Sequence, residues 1–487
     1  MPLPLFTVDQ VREMDRLAVQ SMPITGLDLM KRAGQVLFDE VLTIPAHKDA
    51  VHIFCGAGNN AGDGYVLAKL LLESGIQPRV YAVFDGAKLT ADALSAFKEF
   101  SEIGRVTSAL PAELCSGVIV DALIGTGLSK PLSGEFLAAV DLINSARLTT
   151  LAVDVPSGLN ADTGYAEVGT VRADKTISFI ALKQGLYTAD GVTYAGDVML
   201  NDLSVNEQVV SSQQAGAELL SLEALKKIFV PRAKNSHKGD YGHVLMVGGD
   251  SGYSGAIRLA GEAALRVGSG LVSIATRAEN AALISVARPE LMCHRVDKRS
   301  ELRQLAARCT VLGVGPGLAQ TAWSHDLFEA ALGLDIPLVL DADGLNLLAK
   351  QPYKKTHWVL TPHPAEAARL LNCTTAEVQQ DRFSAVKKLQ QQYGGVIVLK
   401  GAGSLVCGGD KVFVSAAGNP GMASGGMGDI LTGVIAGLMA QGYSLIDAAK
   451  LGVTIHATAG DRAALAGEKG LLASDLMPYI RELMNEY

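Results

Sequence analysis

The chain lacks an excess of positive charge. Its 50 acidic residues outnumber 42 lysines and arginines, the formal net charge is −8, and no basic run offers the footprint that nucleic acid requires. Nucleic acid is therefore not an expected partner, although a local basic pocket for a phosphorylated ligand stays open. Also missing is an apolar run of the roughly 20 residues that a membrane span needs. The most apolar of the long uncharged stretches, Ile430 to Ile446, is interrupted by glycines, Gln441 and Ser444. No membrane association is expected. The opening MPLPLFTVDQ carries no basic n-region, so no signal peptide is read there and the expected compartment is the cytoplasm. Six cysteines (Cys55, Cys115, Cys293, Cys309, Cys373, Cys407) show neither CxxC nor Cys/His ligand spacing, which points to buried free thiols in a reducing compartment. No internal repeat is visible.

What the chain has is glycine, 52 residues in 487, as expected of many tight ligand-facing turns. The length favours two or three domains, each able to bury its own core. Thr7 and Gln10 form a capping-box pattern ahead of an opening helix, and a second helix is predicted from about Asp28 to Val41. Alternation follows. Ala50–Gly56, Arg79–Phe84, Gly117–Gly125 and Thr150–Pro156 read as strands, with helices predicted over Asp63–Ser74 and Thr90–Ile103. Apolar strands separated by helices imply an α/β fold, here a Rossmann-like, doubly wound parallel sheet whose ligands sit at the carboxyl ends of the strands.

Those ends carry the polar residues. After the first strand, Gly56, Gly58 and Ala61 satisfy the loose pattern GxGxxA of a dinucleotide fold, but Asn59, Asn60 and Asp63 do not belong to it. Amides and carboxylates at neighbouring strand ends, including Asp121 and Asp154, offer oxygen ligands to a hard cation and hydrogen bonds to a polar substrate. Singly, the asparagines shape a turn and the aspartates cap helices. Together they make a site. GNNAGDGYVLA, VDALIGTGLSKPLSG (Val120 to Gly134) and AVDVPSGLNADTG (Ala152 to Gly164), in that order, resemble the NAD(P)H-hydrate epimerase family. The resemblance implies that Asn59, Asn60, Ala61, Gly62, Asp63, Gly125, Thr126, Gly127, Leu128, Ser129, Lys130, Pro131 and Asp154 contact a hydrated nicotinamide nucleotide. It also implies that Asn60, Asp121 and Ser157 hold K+, and Asp154 is the candidate proton carrier. Alanine stands at position 61, where the family usually has glycine.

NEQVVSSQQ, between Asp202 and Gln214, is polar without a convincing pattern, which places a domain boundary near Ala215 and divides the chain into 1–214 and 215–487. In the second part, HVLMVGG, LVSIAT, TVLGVGPG, PLVLDADG, WVLTPHPAE and GVIVLKGAGS read as strands with functional exits. SGAIRLAGEAALRVGSG reads as a helix whose small residues pack on that sheet. Asp341 and Asp343 are candidates for a metal or a ribose, or for helix capping. His363 lies between Pro362 and Pro364, and Glu366 opens the next helix. Lys400, ending a strand before Gly401, Gly403 and Ser404, suits a nucleotide phosphate. The Walker A spacing is absent.

Asn419 to Gly433, NPGMASGGMGDILTG, runs glycines 425, 426 and 428 into Asp429 and then into an apolar helix from Ile430 to Leu438. Backbone N–H groups at such a helix start favour an anion. An aspartate there would repel a phosphate. It suits a base beside a transferring phosphoryl group, or else complements the helix dipole. NSHKGDYGHVL, VGPGL, DADGLNLL, TPHPAE, LKGAGS and GNPGMASGGMGDILTG together resemble the ADP-dependent NAD(P)H-hydrate dehydratase family, which has the ribokinase-like α/β fold. By that resemblance Ala256, Gly317, His363 and Asp429 contact the hydrate, while Lys400, Gly401, Ala402, Gly403, Ser404 and Gly428 hold the adenine nucleotide, with Mg2+ accompanying ADP. Ser424, Ala365 and Ala319 depart from the family's usual residues. The expected partners are the small molecules NAD(P)H hydrate and ADP, and the expected assembly is a homo-oligomer. A vitamin or sugar kinase, or an oxidoreductase or non-catalytic dinucleotide sensor built on the GxGxxA loop, uses only one half of the chain.

Overall fold

The computed structural model describes residues 3–84, 89, 91–128 and 130–486. They form two compact units, Pro4–Ala217 and Glu218–Tyr487, the second clustering also with Leu3.

In the first unit Thr7 caps the helix Val8–Ser21 through a reciprocal capping box with Gln10, and Thr25 with Asp28 does the same for the helix Gly26–Thr43. Seven parallel strands run in the order Val106–Thr107, Pro78–Ala82, Val51–Cys55, Val118–Ala122, Thr149–Val153, Lys175–Phe179, Asp197–Asn201. The order reverses between Val51–Cys55 and Val118–Ala122, both fully buried, so their exits open a crevice where chain from both directions meets. The last two strands escaped the sequence reading. Lys175–Phe179 starts on a lysine, and Asp197–Asn201 is a half-exposed edge whose apolar run is only Val198 to Leu200.

The predicted helix Asp63–Ser74 is observed as Asn59–Glu73, capped by Gly58. Asn59 to Asp63 is thus its first turn, not a loop. Asparagine and glycine have poor helix propensity, and burial of Ala61, Tyr65 and Leu67 overrides it. The polar stretch before the boundary contains a short helix, Glu207–Ser211, and a strand crosses the division at Ala217–Leu219.

In the second unit the sheet runs Lys411–Ser415, Ser404–Gly408, Val396–Leu399, Trp358–Leu360, Leu338–Leu340, Val311–Val314, His243–Val247, Leu271–Thr276, Met292–Arg295. Pairing is parallel except for the antiparallel hairpin that follows Val396–Leu399. The helix Met427–Ala440 is buried along almost its whole length. It lies against the helix Ser254–Arg266 so closely that a Cβ on Gly433 would stand 2.0 Å from the Ala260 carbonyl oxygen. The small residues of Ser254–Arg266 therefore serve this helix pair as well as the sheet, which Gly261 faces at Ile274. Among the described residues, no helix is long and apolar enough to cross a membrane.

Candidate functional sites

The crevice of the first unit is a cavity of about 510 Å³. Asn59, Asn60, Asp63, Thr126 and Asp154 line it, joined by Asp15 and Lys183. Asp154 leaves its strand with φ +66°, a left-handed turn that swings its carboxylate toward the last strands. There Phe179 N donates to Asp154 Oδ1 at 3.0 Å, and the Lys183 ammonium pairs with the same oxygen. Lys183 is wholly buried and also donates to the Phe179 carbonyl at 2.8 Å and to Ser178 Oγ at 3.3 Å. The sequence reading missed Lys183, although a single lysine directly after an apolar strand exit was the available signal.

Burial pushes the Asp63 carboxyl well up, with the Asp154 and Asp15 carboxylates adding to it. Asp15 is pushed up to about 6 by burial and by Asp154, against the pull of Lys183. The cavity thus gathers several carboxyl groups around one ammonium, an arrangement that retains protons near neutral pH.

Behind it, Asp121 is fully buried and accepts hydrogen bonds from Ser157 N at 2.8 Å, Ser157 Oγ at 2.6 Å and Leu123 N at 3.2 Å. Burial raises Asp121 to about 6 despite those bonds. Asn60 Nδ2 donates to the Val153 carbonyl, which turns its amide toward Gly125, where a Cβ would collide with the amide at 2.4 Å. This amide, carboxylate and hydroxyl set is rich in oxygen and free of nitrogen or sulfur ligands, so it fits a hard monovalent cation. Among the described residues, no group of three or more His, Cys, Asp or Glu is arranged to hold a metal.

The remaining predicted contacts lie apart. Ala61 is fully buried, so its methyl packs into the core instead of crowding a ligand, and Gly62 sits behind the cavity against Met30. Gly56 allows the Leu123 carbonyl to approach, at 1.9 Å from a would-be Cβ. Leu128 packs on the core cluster around Phe54 and Tyr81. Gly127, Lys130 and Pro131 are exposed outside the cavity lining, and Ser129 lies outside the described residues.

In the second unit the parallel strand exits interlock. Asp250 N donates to the Gly317 carbonyl at 2.7 Å, Gly315 with φ +129° lies on the Asp341 carbonyl, and Lys400 N donates to the Pro362 carbonyl at 2.9 Å. Asp341 stands at the N-cap of its helix, yet its side chain caps nothing there. It accepts instead from Lys400 Nζ at 2.6 Å and from Thr432 Oγ1 at 2.9 Å. Asp343 does the structural work, holding Ala319 N at 3.0 Å and Asn346 Nδ2 at 3.1 Å. Glu366 closes a capping box onto His363 N and lies 3.9 Å from Lys400 Nζ, so it is more than a first-turn acid.

Lys400 is held above the ordinary lysine range: burial opposes its charge, but Asp341 and Glu366 outweigh it. Burial and the Asp341 carboxylate push Asp429 up to about 7, against Lys400. Asp429 lies in the first turn of Met427–Ala440, after the N-cap Gly426 at φ +95°. A Cβ on Gly428 would be 3.2 Å from Lys400 Nζ, which puts that cation against the helix start. Burial, with Lys400 and Arg369, keeps His363 below the usual histidine range. Its Nδ1 accepts from Ala365 N at 3.1 Å, which leaves the proton on Nε2. Ala256 opens the helix Ser254–Arg266 beside Gly317, and one turn later Leu259 abuts Gly426.

The loop Lys400–Ser404 is shaped by Gly401 at φ +137° and Gly403 at φ +62°. The fully buried Arg382, unforeseen from sequence, donates to the Leu399, Lys400 and Gly403 carbonyls at 3.2, 3.3 and 3.4 Å. One ammonium, glycine N–H groups and a carboxyl group that titrates near neutrality can bind a phosphoryl group and remove a proton from a hydroxyl brought to it.

Comparison with known proteins follows the same division. Residues 26–185 match the family described as YjeF-related protein N-terminus, and residues 244–482 match NAD(P)H-hydrate dehydratase. The bifunctional NAD(P)H-hydrate repair enzyme Nnr of Coxiella burnetii is 45% identical over 485 residues, with 99% of each chain covered. The Escherichia coli protein of the same name is 41% identical, covering 100% of this chain and 95% of its own. Among solved structures, a ribokinase-like superfamily protein from Enterococcus faecalis is 28% identical with TM-score 0.52, covering 56% of this chain and 96% of its own. An ADP/ATP-dependent NAD(P)H-hydrate dehydratase from Bacillus subtilis, co-crystallized with ATP and Mg2+, is 31% identical with TM-score 0.50, covering 54% and 96%.

Proposed function

Because the chain belongs to the family of bifunctional NAD(P)H-hydrate repair enzymes, we propose that its first unit epimerises the R and S hydrates and its second dehydrates the S form to NAD(P)H, converting ADP to AMP and phosphate. The observation that carries this reading is Asp429, raised to about 7 at a glycine-rich helix start beside the Asp341–Lys400 pair. Hydroxide is a poor leaving group, so C6 of the hydrated ring keeps its oxygen until that oxygen is phosphorylated.

Asp429 takes the proton of the C6 hydroxyl as its oxygen attacks the terminal phosphorus of ADP and AMP departs. The N–H groups from Gly426 to Gly428 and the Lys400 ammonium face the transferring charge. Lys400, Gly401, Ala402, Gly403, Ser404 and Gly428 hold the nucleotide, while Ala256, Gly317 and His363 seat the hydrate. The C6–O bond then breaks with phosphate leaving, and loss of the C5 proton gives the dihydronicotinamide. Asp341 is committed to Lys400 and Thr432, so Mg2+ fits here as an ion carried mainly by the ADP phosphates.

In the first unit Asn59, Asn60, Asp63, Thr126 and Asp154 bind the hydrate, with Asp154 carrying a proton at C6. Asn60, Asp121 and Ser157 hold K+, which when bound supplies a fixed positive charge at the crevice. The test mixes the protein with both hydrates, K+, Mg2+ and ADP or ATP, and follows the dihydronicotinamide absorbance. Complete recovery is expected with ADP. Half recovery refutes the epimerase assignment, and none refutes the dehydratase.

A further inference from the structure

Asp15 is an acid with no structural occupation. It stands on the helix Val8–Ser21, whose stripe Val11, Asp15, Val19 lines the cavity at four-residue spacing. The helix cannot roll it away. Val11, Met14 and Ala18 are buried in the core, the capping box fixes one end, and Val8 N donates to Asp162 Oδ1 at 2.7 Å. Among the described residues Asp15 has no hydrogen-bond or ion-pair partner, although cations flank it. Arg12 is engaged by Asp9 and by the Thr126 carbonyl, and Arg16 by Glu13. An unpaired carboxyl group on a fixed helix, lining the same substrate-sized cavity as an ion-paired aspartate and close enough to feel its charge, is arranged for proton transfer.

We propose that Asp15 is the second proton carrier of the epimerase, working with Asp154 across the two faces of C6. This rests on the epimerase reading above. C6 of the hydrate bears both the hydroxyl and the ring nitrogen N1, so the nitrogen lone pair can expel the hydroxyl if a proton is supplied to it. Asp15 gives that proton, the C6–O bond breaks, water leaves and an iminium forms between N1 and C6. A water molecule then adds from the other face, forming a new C6–O bond and passing its proton to Asp154. Atoms and charge balance: water leaves and water returns, and one proton has moved from Asp15 to Asp154. The reverse epimerisation moves it back.

A single carboxylate serves only one face, so inversion by this route requires two. Asp154 is suited to begin as the base, since its Oδ1 is committed to Lys183 and Phe179 N while the other oxygen remains for substrate. Asp15, which titrates at about 6, is suited to begin as the acid. The other charged groups on the cavity are Asp63 from the helix Asn59–Glu73, Asp92 from Ala91–Ser101, Lys183, Arg12 and Arg16. Burial, with the Asp154 and Asp15 carboxylates adding to it, pushes the Asp63 carboxyl well up.

The experiment uses the full chain, pure R hydrate and K+ in H218O without ADP, so that the second unit is idle, and follows S hydrate by chiral chromatography above the uncatalysed rate. Wild type is expected to place one solvent oxygen in each inverted product, with a rate that falls above about pH 6. Asp15→Asn should lower kcat by two to four orders of magnitude with little change in KM and lose that pH limb. Asp15→Glu should restore part of the rate, and thermal unfolding should show both variants folded. Asp15→Asn within about threefold of wild type overturns the role. So does retention of the original oxygen, which means that the ring opened at N1–C6 instead. Wild type that does not invert the hydrate at all overturns the epimerase reading itself.

Discussion

Asp429 and Lys183 show how one side chain takes its chemistry from its neighbours. A base at C6 must be ionised, and Asp429 sits near 7, so dehydratase kcat should rise with pH to about 7 and then level off. Asp429→Asn should reduce that kcat by about two to four orders of magnitude, read from ADP-dependent recovery of S hydrate. The same variant tests the linkage. A carboxyl group raised on folding binds its proton more tightly in the folded state, so its contribution to stability is present at low pH and lost as pH rises toward 7. Asp429→Asn should therefore unfold at a higher temperature than wild type at pH 8, and the gap should narrow as pH falls through 7 and close below about pH 4, the unfolded carboxyl range. Lys183→Met leaves Asp154 as a nearly buried charge without its ion partner. Loss of about 3–5 kcal/mol from the first unit is expected by calorimetry, together with loss of epimerisation.

At the level of elements, the phosphate loop is set from behind. Arg382, on the helix Arg382–Tyr393, ties down carbonyls on both sides of Gly401. Arg382→Met should loosen the loop more than the chemistry, raising KM for ADP well above any change in kcat. The helix Met427–Ala440 depends likewise on the close pass at Gly433. Gly433→Val drives a side chain into the Ala260 carbonyl and should cost at least about 1–3 kcal/mol, seen as a lower Tm of the second unit. These elements were partly legible. The apolar run from Ile430 announced that helix, and the Thr7/Gln10 box announced the first one. The start of Asn59–Glu73 was not, because its first turn is built of residues that local propensity assigns to a loop.

On the scale of the whole molecule, each unit has its own core and its own set of candidate site residues, so the two proposed activities should be separable by point substitution in the intact chain. With an equal mixture of hydrates, Asp154→Asn should stop recovery at about half on a timescale shorter than uncatalysed epimerisation, whereas Asp429→Ala should abolish it while R and S still interconvert. An Asp154→Asn protein that recovers both epimers at the wild-type rate would remove Asp154 from the mechanism.

The sequence by itself determined the alternation of strand and helix, the glycine-rich exits and the polar residues standing at them, because period and turn chemistry are local properties of the chain. The choice among those polar residues was made only by the tertiary structure. Asp341 and Asp343 are two positions apart, yet one neutralises Lys400 from a distant strand while the other holds a loop. Ala61 and Leu128 lie in motifs that point to a ligand but pack into the core, whereas Lys183 and Asp15 lie outside every motif and face Asp154 in one cavity. Burial and the charge of neighbours remote in sequence decide which carboxyl groups keep a proton near neutral pH, and both are created by folding.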